Sequence, residues 1–217
     1  RVQAAACRQP HPVATADGFP TPQQVIETLA RLTPDNAQIV TDVGQHQMWT
    51  AQYYPFEQPR TFITSGGLGA MGFGLGASIG ACLAHPERKT ILVSGDGSFH
   101  MNLNELATLV SYRLPIVDLV MNNTVLGMVR QWQTVFYDRR YAQTAPCRQT
   151  DFVRLAEAFG AQGFRIERPD QIEPVLQEAL SCGGPCVVDC RISPDAMVLP
   201  MIPPGRAVQD TINVFME

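Results

Sequence analysis

Thr90-Ile91-Leu92-Val93-Ser94 runs into Gly95-Asp96-Gly97-Ser98, and after 24 further residues beyond Gly97 a second apolar run ends on Asn122-Asn123. Between the two runs lies a helical pattern, Leu103 to Tyr112, behind the capping box Asn102-x-x-Glu105, so the whole reads as one βαβ unit. Its crossover returns the second strand parallel to the first. Both carboxyl ends then arrive at the same sheet edge, about 5 Å apart if the strands are neighbours. Asp96 and Asn123 can thus share one cation. One carboxylate with an amide oxygen is too little charge for an all-protein calcium cage, whereas magnesium keeps water and takes oxygens from ligand phosphates. Gly95 and Gly97 permit close backbone approach, and Ser98 with the amides after it can face an anionic diphosphate. An ordinary strand-to-helix turn is the plainer reading of Gly-Asp-Gly by itself, and the asparagine pair at a second strand end weighs against it.

The same alternation extends along the chain. β-rich runs at Gln38 to Val43, Thr61 to Thr64, Thr90 to Ser94, Pro115 to Met121, Gln162 to Ile166 and Cys186 to Ile192 alternate with helical patterns. One helix opens at Thr21-Pro22-Gln23-Gln24 and runs to about Leu32; others cover Phe152 to Phe159, ending at Gly160, and a stretch from Asp170 to near Gly183. This predicts an α/β domain with a mostly parallel six-stranded sheet, helices on both faces, and ligands at the carboxyl ends of the strands. Asp118 interrupts its apolar strand, and nothing in the sequence accounts for it.

The length of 217 residues suits one sizeable core. Residues 1–20, with Pro10, Pro12 and Pro20, read as a linker from an upstream domain; 21–193 form the domain; 194–217, with Pro194, Pro200, Pro203 and Pro204, form a terminal arm. A net charge of -4 supplies no basic surface for nucleic acid. The six scattered cysteines and the lack of a leader argue for free thiols in a reducing, cytoplasmic setting. Cys182, Cys186 and Cys190 are evenly spaced, but the last two lie in an apolar run, unlike paired zinc ligands. Gly66 to Ala84 carries no charge over 19 residues, yet seven glycines sit in it. Gly72, Gly76 and Gly80 fit a buried interface helix better than a membrane span.

Gly-Asp-Gly, 24 residues and Asn-Asn together form the signature of thiamine-diphosphate enzymes, and it stands complete from Gly95 to Asn123. Three more segments resemble the acetolactate synthase (acetohydroxyacid synthase) family: Gly44-Gln45-His46-Gln47-Met48-Trp49, Ser65-Gly66-Gly67-Leu68-Gly69-Ala70-Met71-Gly72, and Gly127-Met128-Val129-Arg130-Gln131-Trp132-Gln133 with Phe136-Tyr137 and Arg140-Tyr141. The likeness covers Thr21 onward, including the Leu199-Pro200-Met201-Ile202-Pro203-Pro204-Gly205 arm.

The resemblance implies magnesium on Asp96, the Asn123 side chain and the Val125 main-chain oxygen, holding the diphosphate of thiamine diphosphate. Gly44, Gln45 and His46 would donate to that diphosphate. Gly69 and Met71 would lie against the cofactor rings, with Met71 holding it bent; from the residues alone, Met71 is a core filler and His46 a capping or core histidine. Gly127 and Met128 would border the cofactor, and Met128 and Trp132 would face the substrate. The implied reaction is decarboxylation of pyruvate and carboligation to a second 2-keto acid, pyruvate or 2-ketobutyrate, in branched-chain amino acid biosynthesis.

Family members carry the activating glutamate in an N-terminal domain and FAD mainly in a middle domain, neither of which this chain contains. No catalytic acid or base is therefore assigned here; Glu105 is read as the capping partner of Asn102. The chain alone is expected to be inactive and to work in a homodimer or higher oligomer, with a regulatory small subunit as a further partner. Pyruvate oxidases, glyoxylate carboligases, 2-keto-acid decarboxylases and a non-catalytic diphosphate-binding module are the rival readings. His85, His100, Arg139 and Arg140 are read as structural or solvated.

Overall fold

The sequence alternation closes into a parallel α/β sandwich, seen in a computed structural model that describes residues 15 and 17–213. Helix α1 (Pro22–Leu32) begins at the Thr21 capping box. Strand β1 (Gln38–Thr41), α2 (Gln45–Tyr53), β2 (Phe62–Thr64) and α3 (Phe73–Ala84) follow, then β3 (Thr90–Gly95), α4 (Asp96–Asn102), α5 (Leu106–Ser111) and β4 (Ile116–Asn122). Next come α6 (Gly127–Phe136), α7 (Phe152–Phe159), β5 (Gln162–Ile166), α8 (Ile172–Ser181) and β6 (Cys186–Arg191). The six strands are ordered β2-β1-β3-β4-β6-β5, and every pairing is parallel.

Parallel strands bury both faces, so alternate side chains feed two cores. On one face Ile39, Ile91, Val93, Val117, Leu119 and Val188 pack with α1, α2 and α8. On the other, Val40, Leu92, Ile116, Val120 and Val187 pack with α3, α4, α5 and α7. Gly74 on α3 lies so close to the sheet that an added β-carbon would sit 2.7 Å from the Leu92 side chain and 3.0 Å from Asp42 Oδ2.

Several expectations shift. The helix expected over Leu103–Tyr112 starts earlier and breaks: α4 opens at Asp96, a 3-10 turn spans Leu103–Glu105, and α5 follows. Asn102 caps nothing, because its Nδ2 donates to the Gly72 carbonyl at 3.3 Å. Glu105 instead accepts from the Thr108 hydroxyl at 2.9 Å, so the capping box is absent. The helix expected from Asp170 begins at Ile172, after a 3-10 turn over Pro169–Gln171. Gly72 lies before α3 in the left-handed region at φ 88°, and a β-carbon on Gly76 or Gly80 would meet open space. The close approach to the sheet is made at Gly74 instead, while a β-carbon on Gly72 would lie 3.1 Å from Met101 Cβ. Among the described residues no helix is long and apolar enough to cross a membrane. The linker expected over 1–20 lies largely outside the described residues, as does Cys7.

The segment expected as an arm makes these contacts. Val198 is buried, and Gln131 Nε2 donates to its carbonyl at 2.9 Å while Gln131 Oε1 accepts from its amide at 2.8 Å. Arg130 pairs with Asp195 at 2.7 Å and lies 4.1 Å over the Tyr141 ring. Farther on, Met201 and Ile212 form an antiparallel bridge.

Asp118 finds its account here. It is fully buried, its Oδ1 accepts from the Ser94 hydroxyl at 2.9 Å, and its Oδ2 has no partner. Burial, reinforced by Asp42, pushes its carboxyl up to about 8 against an ordinary 3.8, with Ser94 opposing. Below the unfolded value both states are protonated. As pH rises toward the folded value only the unfolded chain ionises, so stability is lost across that window. Urea unfolding should therefore show the parent losing on the order of 3 kcal/mol more than Asp118→Asn between pH 5 and pH 8. Parallel pH profiles for the two proteins would mean that Asp118 is already ionised in the fold.

Candidate functional site

At the carboxyl ends of β1, β3 and β4 lies a cavity of about 140 Å³, built from three loops and the start of α6. Its walls include Gly44, Gln45, His46, Met71, Gly95, Asp96, Gly97, Ser98, Asn123, Val125, Gly127 and Met128. Twelve of the fourteen candidate residues thus meet in one place. Gly69 and Trp132 do not line it. Gly69 sits at φ 64° in an exposed turn closed by its amide on the Ser65 carbonyl at 3.0 Å. Trp132 is 40% exposed and walls a second, open hollow of about 610 Å³ with Met128, Val129, Gln133, Tyr137 and Arg140.

Neighbouring β3 and β4 set the central pair. Gly95 is in register with Met121, so the residues just beyond, Asp96 and Asn122-Asn123, leave the sheet together. The two asparagines divide the work. Asn122 Nδ2 donates to buried Asp189 at 2.7 Å and its Oδ1 accepts from the Thr124 amide at 3.3 Å, which holds the turn through Thr124 at φ 61°. Asn123 lines the cavity; its Nδ2 donates to Gln45 Oε1 at 3.3 Å and its Oδ1 accepts from the Val125 amide at 3.1 Å. The amide is thereby oriented with its oxygen retaining a lone pair.

Asp96 is 4% exposed and makes no ion pair among the described residues. Burial pushes its carboxyl up to about 6, opposed by Arg148 and by the Asp96 and Gly97 backbone amides. An unpaired buried carboxylate is costly, and Asp96 with the Asn123 amide lining the same cavity offers hard oxygen donors of the kind magnesium takes. His46 is also buried, with Nε2 unpartnered. Burial holds its ring down at about 3, so it is neutral at pH 7. A β-carbon on Gly44 or Gly95 would lie 2.8 Å from that ring. The two glycines are what admit it. Ser98 donates its hydroxyl to the Val43 carbonyl at 2.7 Å, tying α4 to the β1 loop. The structural reading of His100 agrees with its bonds: Nδ1 donates to the Asp96 carbonyl at 2.6 Å and Nε2 lies 2.7 Å from the Thr150 hydroxyl.

Two supporting residues are not among the candidates that the sequence offered. Asp42 accepts from the Val43, Gly72 and Gly74 amides at 2.9, 2.8 and 3.1 Å, anchoring the glycine-rich segment that delivers Met71. Gln131 accepts from Gln45 Nε2 at 2.9 Å while Gln45 Nε2 also donates to the Ala196 carbonyl at 2.8 Å, so the site is stitched to the arm. An aspartate at a strand end ahead of a glycine was the visible hint for the first. The second depends on partners 86 and 67 positions away in the chain and had none.

Gly127 tests this stitching. A β-carbon there would lie 1.9 Å from Gln45 Oε1 and 2.6 Å from Asn123 Nδ2, and moving Gln45 breaks its bonds to Gln131 and Ala196. Gly127→Ala should cost about 1–3 kcal/mol of stability in urea unfolding. An unchanged midpoint and slope would show that the amide network is slack.

Comparison with known proteins matches residues 42–190 to the family described as thiamine pyrophosphate enzyme, C-terminal TPP binding domain. The chain is 46% identical over 196 residues to an acetolactate synthase large subunit of Haemophilus influenzae, covering 90% of this chain and 34% of that one. It is 52% identical over 159 residues to the acetolactate synthase isozyme 3 large subunit of Escherichia coli, covering 73% and 28%. To the mitochondrial acetolactate synthase catalytic subunit of Saccharomyces cerevisiae it is 43% identical over 199 residues, covering 90% and 29%. The chain spans about a third of the length of these curated relatives. With the parallel sheet and the strand-end cavity in place, the chain belongs to the thiamine pyrophosphate enzymes and carries their C-terminal TPP-binding domain.

Proposed function

We propose that this chain is the cofactor-binding part of an acetolactate synthase catalytic subunit, joining pyruvate, after its decarboxylation, to a second 2-keto acid in branched-chain amino acid biosynthesis. The observation that carries this reading is the buried, unpaired Asp96 beside the oriented amide of Asn123 in a cavity at the strand ends. Asp96, the Asn123 side-chain oxygen and the Val125 carbonyl would hold magnesium, an ion that favours hard oxygen donors and phosphate partners. Gly44, Gln45 and neutral His46 face that diphosphate. Met71 supports the cofactor from the segment anchored on Asp42; Gly69 acts through that segment's turn.

Thiamine diphosphate supplies the electron sink for decarboxylation and carbon–carbon bond formation, and this chain binds and orients it. Asp96 is the one carboxylate lining the cavity among the described residues, which supports a reading in which the proton-transfer group is supplied from elsewhere and the chain is inactive by itself. Met128 borders both the cavity and the hollow of Trp132, which supports a reading in which the acceptor keto acid meets the indole. FAD, a second catalytic chain and a regulatory small subunit complete the assembly in a cytoplasmic enzyme. The subunit names of the relatives, large and catalytic, support the last of these partners.

Calorimetric titration with thiamine diphosphate should show magnesium-dependent binding that Asp96→Ala abolishes and Asn123→Ala weakens, with melting temperature retained. Unaltered affinity in Asp96→Ala would remove the metal assignment. In the assembled enzyme, Trp132→Leu should lower the preference for 2-ketobutyrate over pyruvate, since one methylene in an apolar pocket is worth about 1–3 kcal/mol. A constant product ratio in a competition assay would reduce Trp132 to packing.

A further inference from the structure

The cavity has a charge deficit. None of its lining residues is a lysine or arginine, and His46 is neutral. A diphosphate carries more negative charge than one divalent cation cancels when that cation is shared with Asp96. A cation is therefore wanted at its edge.

A second cleft, of about 220 Å³, also has Asp96 in its wall, together with Arg148, Arg165 and Arg191. Arg165 and Arg191 are already engaged, each 3.3 Å from Asp189, and Arg165 also 2.6 Å from Asp151. The Arg148 guanidinium makes no ion pair among the described residues, and it is the cation that acts on Asp96. Its Nη1 lies 3.6 Å from where a β-carbon on Gly97 would be, and Gly97 lines the cavity. The strap that carries it is fastened to the site on both sides. The Leu126 amide donates to the Thr144 carbonyl at 2.8 Å, and Thr150 meets His100, which holds the Asp96 carbonyl.

We infer that Arg148 is an anion-binding residue of this site, its guanidinium passing over the bare edge of Gly97 to take diphosphate oxygens that the metal leaves uncompensated. The inference rests on the proposed cofactor site. Gly97 leaves room for a planar guanidinium, and the fork of an arginine can take two oxygens at once where a lysine offers a point charge. Arg148 is exposed, so removing it does not disturb the core.

The test is calorimetric titration of this chain, Arg148→Ala, Arg148→Lys and the distant control Arg206→Ala with thiamine diphosphate plus magnesium, and separately with magnesium alone, at several salt concentrations. Arg148→Ala should raise the cofactor Kd about tenfold or more and flatten its salt dependence, with Arg148→Lys partway between and Arg206→Ala unchanged. Magnesium alone should bind Arg148→Ala at least as well as the parent, because a neighbouring cation has gone. A parent that binds while Arg148→Ala matches it within twofold overturns the inference and leaves the cofactor site standing. Equal weakening toward the cofactor and bare magnesium overturns it too, since that is a structural defect. A parent that binds no cofactor removes the site reading and the role of Arg148 together.

Discussion

Parallel pairing of β3 with β4, from Thr90 opposite Ile116 to Gly95 opposite Met121, is the constraint from which the site is built. Side chains on a strand alternate faces, so a slip of one residue would exchange the contents of the two cores. Ile91 and Val93 on one face and Leu92 on the other fix that register by burial. The same register delivers Asp96 and Asn123 to one edge. Core packing and site geometry are therefore one specification, written in the same residues.

Around that edge the loops are joined by neutral amides. Gln45, Asn123 and Gln131 form a chain of side-chain hydrogen bonds from the β4 turn to the Ala196–Val198 backbone, and Trp49 Nε1 adds a bond to the Met197 carbonyl at 3.3 Å. Amides offer donors and acceptors without the desolvation cost of a charge, and each buried group here needs a partner. The arrangement makes the segment after β6 a wall of the site. It also explains how proline-rich chain with no periodic pattern can still be held in place.

Four aspartates are buried at or near the carboxyl half of the sheet, and they are satisfied in different ways. Asp42 is met by three backbone amides, Asp189 by Asn122 and two arginines, and Asp118 by Ser94 and its own protonation. Asp96 alone of the four lines the strand-end cavity, and there it has neither an ion pair nor a side-chain donor among the described residues. Structural carboxylates come with their partners folded around them; one that lacks them, in a cavity, is poised for something from outside.

The alternation of β-rich and helical runs determined the six-stranded parallel sheet, because hydrophobic periodicity and crossover handedness leave little else for such a chain to do. β5 was legible to the residue, and the Thr21 cap and the Phe152–Phe159 helix with its Gly160 stop likewise, since those signals are local. Gly-Asp-Gly and Asn-Asn at strand ends marked the edge of the cavity for the same reason. Tertiary contacts decided the rest. Asn102 forsook its capping box for the Gly72 carbonyl, and Glu105 was left to Thr108. Gly74, rather than the regular Gly72, Gly76 and Gly80, meets the sheet, and whether a glycine is needed depends on what faces it. Asp42, Gln131 and Arg148 gain their significance from partners far off in the chain. Spacing along a sequence fixes what one element presents, and only the packed fold determines what meets it.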